Sequence, residues 1–191
     1  MNTGIIITDA DDDIETLLTG DTKRQMDIRA YCVLGHAAIE EFFESIAMAV
    51  FNNAIDLWTR KSVSWPLLAL ALYHEYYEPR KEEKLSLKRE AKVTFMHSAV
   101  AKLKEYYPNQ IHQNHGARLD HLINIFNPIG IEIPDKPFIG SLESFASWRG
   151  DFAHKGMTAQ RISSATSVHN SIQDILILCF ELKDAAKQVV A

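Results

Sequence analysis

The segment Trp148-Arg149-Gly150-Asp151-Phe152-Ala153-His154-Lys155-Gly156 gathers a permanent cation, a carboxylate and an imidazole within six residues. Cleavage of RNA without a metal requires groups of these kinds. A base takes the proton from a ribose 2′-hydroxyl, an acid protonates the departing 5′-oxygen, and a cation stabilises the charge that builds on the phosphate. Histidine titrates near neutrality, so His154 can fill either proton role. The Arg149 guanidinium stays charged and matches phosphate oxygens with a planar fork. Asp151 stands where it can orient His154 or tune its pKa. The spacing alone is a weak signal. It equally describes a solvated arginine and a histidine that favours the negative end of a helix dipole.

The elements that must position these groups raise a geometric question. On an ideal helix, at ~100° per residue, Arg149 and His154 lie ~140° apart. Convergence on one phosphate then needs either a helix that ends or distorts near Gly156, or a second copy of the chain bringing its own motif. Other polar residues are candidates to support such a site: Glu40 on a long first helix, Asn114 and His115 at a turn, Arg118 as a phosphate contact, and Lys155 beside the motif histidine. Glu40 either pairs with Arg149 or is a solvated carboxylate beside an apolar stripe. His36 reads as a core-edge histidine with no assigned role. His112, His115 and His121 match no standard zinc spacing and no cysteine assists them, so no metal site is assigned. Tyr73, Tyr76 and Tyr77 have the spacing of core aromatics as much as of a base-stacking platform.

Apolar residues at three- and four-residue steps predict helices over about 23–59, 65–77, 86–106 (ended by Pro108), 115–126, 141–154 (N-capped by Ser141) and 161–189. Ile131 to Pro137 reads as an extended connector, and no convincing strand pattern is present. The expected architecture is all-α: an antiparallel helical bundle with two long helices and several shorter ones. Residues 1–22, with the acidic run Asp9 to Asp13, form an N-terminal arm, and 23–191 one domain. The mixed-charge stretch from Arg80 to Lys92 is a solvated strip whose acids nearly balance its bases.

The chain has 191 residues and a formal net charge of −5. An acidic protein does not coat nucleic acid non-specifically, because such binding rests on neutralising phosphates, although a local grip on a few phosphates stays open. No run is long and apolar enough for a membrane span, and the N-terminus has no signal-peptide pattern. Cys32 and Cys179 lie in apolar helical stretches as buried thiols, which suits a reducing cytoplasm.

The Arg149 to His154 stretch resembles the RxxxxH signature of the HEPN superfamily. Asn114-His115-Gly116, the turn at Ile129-Gly130-Ile131, the helix leading to Arg149-Gly150, Arg29 and the step Ala38-Ile39-Glu40 are similar to its RiboL-PSP-HEPN branch. The resemblance covers about 23–185. It implies an all-α fold, homodimers with facing motifs, and metal-independent endoribonuclease activity in toxin–antitoxin or anti-phage systems, with no cofactor. It places Arg149 and His154 in the catalytic positions. Many members carry a polar residue, often Asn, where this chain has Gly150. The alternative it leaves open is a non-catalytic module that binds RNA or a partner protein, as an antitoxin or a defence-complex subunit.

Overall fold

A computed structural model describes residues 23–74, 89–134, 138–155 and 165–190; the side chains at 24, 89–95 and 153–155 lie outside that description. The regular structure of the described residues is all helical, with no strand among them. The helices are α1 (Lys23–Thr59), α2 (Trp65–Tyr73), α3 (Arg89–Gln113), α4 (Leu119–Phe126), α5 (Phe138–Lys155) and α6 (Ala165–Val190), with a 3-10 turn at Asn127–Ile129. The fold is therefore all-α, as the periodicity predicts. Besides the two long helices expected, α1 of 37 residues and α6 of 26, α3 reaches 25.

The chain forms two compact units. The first comprises Met1–Glu41, Gly116–Leu119 and Asp135–Cys179; the second comprises Phe42–His115, Asp120–Pro134 and Phe180–Ala191. In the first unit, Ile28 and Cys32 of α1, Leu142, Phe145 and Phe152 of α5, and Val168, Ile175 and Leu178 of α6 are buried. Gly35 explains how closely α5 can approach α1. A Cβ at that position would stand 3.1 Å from the Phe145 ring, so a side chain there would require the ring to shift by a few tenths of an ångström. Ser141 is already inside α5, which starts at Phe138, and it is not the N-cap. Its hydroxyl instead donates to the Asp174 carboxylate on α6, at 2.6 Å. Both thiols are buried, and burial pushes Cys32 up to about 12 and Cys179 to about 11, which keeps them protonated and unreactive.

In the second unit, Phe43 and Phe51 of α1 meet Phe126 and Tyr107 through ring contacts at 6.2 and 5.2 Å. The helix α3 does not stop at Pro108 but runs through it to Gln113. Proline in a helix interior removes one backbone hydrogen bond at a cost of about 3 kcal/mol. Burial of Tyr107 and Ile111 beside it offsets that cost, and the Tyr107 hydroxyl donates to the Ile125 carbonyl. Burial pushes the Tyr107 phenol well above its ordinary range, so it is a permanent neutral donor. The Trp65–Pro66 start of α2 stands as predicted, with proline in the first turn. Its end comes earlier than predicted, at Tyr73, where His74 leaves helical geometry and packs against Tyr106. Pro79, Tyr76, Tyr77 and the arm 1–22 lie outside the described residues. Gly130, at φ 75°, caps the 3-10 turn, and a Cβ there would strike the Trp65 ring.

Candidate functional site

Helix α5 carries the RxxxxH segment without a break, because its backbone stays helical from Phe138 through Lys155. Positions 149 and 154 therefore stand ~140° apart around one regular helix. Of the two routes to convergence, a helix that ends or distorts near Gly156 falls at the edge of the described residues, since the helix is described as far as Lys155. Arg149, Gly150 and Asp151 are half-buried. Among the described residues the Arg149 guanidinium has no hydrogen-bond or ion-pair partner. Phe152, buried, anchors the motif to the core. The side chains of His154 and Lys155 lie outside the described residues. A Cβ built on Gly150 meets nothing within 4 Å, so the position is open to a larger residue.

A second arginine joins the motif from α1. The Arg29 guanidinium lies over the Phe152 ring, 5.5 Å from its centroid, a cation–π contact. Its position in an otherwise apolar helical stripe, between Ile28 and Cys32, is the sequence signal for a role at this helix.

Residues 116–119 are held by carboxylates from two helices of the same unit. Glu40 accepts from the Gly116 amide and lies 3.7 Å from His36. His36, 4% exposed, receives the Ala117 amide at 3.4 Å on its Nε2 atom. Glu143 on α5 accepts from the Leu119 amide at 2.8 Å and from the Arg118 guanidinium at 3.0 Å. The Leu119 bond satisfies a first-turn N–H of α4 that has no intrahelical partner. It also explains why α4 begins at Leu119 and not at His115. Glu40 and Arg118 are thus tied into a backbone anchor: Glu40 is engaged with Gly116 and His36, and Arg118 with Glu143. Glu143 was missed by sequence reading because its function lies 24 residues away, in a loop that the helical pattern does not encode.

Asn114 and His115 belong to the other unit. Asn114 is buried and donates to the His121 carbonyl at 3.1 Å, which makes it a turn residue. His115 is exposed, with its ring 6.2 Å from that of His112. Among the described residues no three metal-ligating side chains converge, and no helix is long and apolar enough to cross a membrane.

No curated protein and no solved structure matches the chain. The family model RiboL-PSP-HEPN does, over residues 5–188. The match takes in both units and every element described above, the helix with its RxxxxH segment included, and the chain belongs to the RiboL-PSP-HEPN family.

Proposed function

We propose that this HEPN-type domain is a metal-independent endoribonuclease that works as a homodimer in the cytoplasm, in a toxin or anti-phage defence system. The observation that carries the reading is Arg149: a half-buried guanidinium on the motif helix, unpaired among the described residues. The contrast with Arg118 is informative, since Glu143 already neutralises that cation. An arginine without a carboxylate is available to a phosphate, and a charge-assisted fork onto phosphate is among the stronger polar contacts.

In this reading His154 removes the 2′-hydroxyl proton, or its counterpart in the second copy does. The 2′-oxygen bonds to phosphorus while the bond to the 5′-oxygen breaks, and that oxygen takes a proton from the acid. The products are a 2′,3′-cyclic phosphate and a free 5′-hydroxyl. Arg149 stabilises the negative charge on the phosphate as it passes through the five-bonded arrangement. The unbroken helix supports the homodimer, because ~140° of separation leaves one motif unable to supply both groups to a single phosphate. Asp151 and Lys155, within one turn of His154, are the supporting residues.

Gly150 favours a second reading, a non-catalytic module that binds RNA or a partner protein, because it lacks the polar side chain common at that position. Incubation of the purified chain with single-stranded RNA in EDTA separates the two. The first reading expects cleavage that persists on chelation and leaves 2′,3′-cyclic termini. Intact RNA, or cleavage that EDTA abolishes, removes it.

A further inference from the structure

One face of α3 has no part in the cleavage reading. Lys102, Glu105, Tyr106, Asn109, Gln110 and Gln113 recur at the i, i+3, i+4, i+7 spacing of one helix face, and all line one open groove of about 650 Å³. Val100, Leu103, Tyr107 and Ile111, on the opposite face, are buried. The volume falls in the range of small-molecule sites. Its chemistry is unlike an ordinary solvated helix face, which is dominated by charge. Asn114 and Asn124 complete the lining, so that five carboxamides face one space beside one lysine and one glutamate. The lysine and glutamate cancel, so the groove offers no net attraction to phosphate. Carboxamides present a donor and an acceptor side by side, the pattern that pairs with the edge of a nucleobase.

Two details point to a ligand. Gln110 is pinned by its amide nitrogen, which donates to the Asn124 carbonyl at 2.8 Å. Its other terminal atom, Oε1, is buried and among the described residues meets no donor. A buried acceptor without a donor costs free energy that a ligand N–H would recover. Tyr106 is 46% exposed, and the His74 ring crosses it at 71° with centroids 4.5 Å apart. It is an aromatic braced from one side and nearly half open to solvent, as a stacking platform must be.

We propose that this groove of the second unit binds a nucleobase, stacked on Tyr106 and read at its edge by Asn109, Gln110 and Gln113. The base belongs either to a free nucleotide or to a single-stranded RNA. The proposal stands apart from the cleavage reading and uses none of its residues.

The test is calorimetric titration of the full-length Arg149→Ala chain, in which the cleavage reading expects RNA to stay intact, with each of the four nucleoside 5′-monophosphates, with ribose 5-phosphate, and with a 12-nucleotide single-stranded RNA. Saturable binding is expected for at least one base-containing probe and none for ribose 5-phosphate. Tyr106→Ala should weaken that binding about tenfold or more, as loss of one stacked base does, while Tyr106→Phe keeps it. Asn109→Ala, on an exposed helix position, should weaken it as well and serves if Tyr106→Ala fails to fold. A mononucleotide that binds as tightly as the RNA identifies the free nucleotide as the source, and binding of the RNA alone identifies the strand. No binding by any base-containing probe, equal binding of ribose 5-phosphate, or unchanged binding in folded Tyr106→Ala and Asn109→Ala overturns the proposal. Failure here while the wild type cleaves RNA in EDTA rejects the groove alone; intact RNA with the wild type while nucleobase binding holds rejects the nuclease alone.

Discussion

Arg149 and Gly150 are neighbours on one helix and differ in what limits them. Arg149 draws its interest from a charge with no partner among the described residues; Gly150 draws its from the empty space around it. Glycine inside a helix costs roughly 0.5–1 kcal/mol relative to alanine, because it gives up more backbone freedom on folding. With nothing to strike, Gly150→Ala should raise stability by about that amount, read as a higher thermal midpoint; a lower midpoint would mean that the backbone at 150 is not regular helix. At this scale the types and spacing of Arg149, Asp151 and His154 are visible in one line of sequence, and their part in a site stays with the proposal. The sequence was not informative for Glu143 or His36. Their work is to receive backbone N–H groups of residues 117–119, and no local pattern announces a partner so far along the chain. Glu40 and Arg118 stood out as charges worth weighing, yet only the folded chain shows them spent on Gly116 and Glu143.

At the scale of elements, helical periodicity placed α1 to its ends because an apolar stripe of that length has no competing reading. The failures came where tertiary packing overrode a local rule. Pro108 is a stop signal in isolation, but the helix passes through it, since stopping there would leave Ile111 outside the core. Ser141 resembles a cap in isolation, but its hydroxyl finds Asp174 and the helix starts three residues earlier. The hydroxyl of Tyr107 is a buried polar contact that ties α3 to the end of α4. Tyr107→Phe leaves the Ile125 carbonyl buried without its donor and should cost about 1–2 kcal/mol, measured as a lower urea midpoint with an unchanged slope. An unchanged midpoint would show that the bond contributes nothing to stability.

For the whole molecule, the proposed activity depends on assembly as much as on residues. Positions 149 and 154 stand ~140° apart around a regular α5, and that separation is the argument for pairing two chains in the proposed site. The first unit, which holds the motif, also exposes apolar side chains on α1: Leu34 at 70%, Met26 at 45% and Tyr31 at 41%. Exposed apolar surface of this kind marks interaction sites. Sedimentation equilibrium at micromolar concentration should therefore report a dimer, and Leu34→Glu should shift it toward monomer; a monomer at all concentrations would leave the paired site without support. The acidic charge of −5 fits an enzyme that holds RNA by few phosphate contacts. The most direct test of the nuclease is the cleavage rate of a single-stranded RNA in EDTA for the wild type, Arg149→Ala and His154→Ala, each checked for native helix content. Loss of a general acid–base group costs about 10²–10⁴ in rate and loss of a charge-stabilising donor about 10²–10³, so both variants should fall by at least about 10². Wild-type rates in both folded variants would contradict the account.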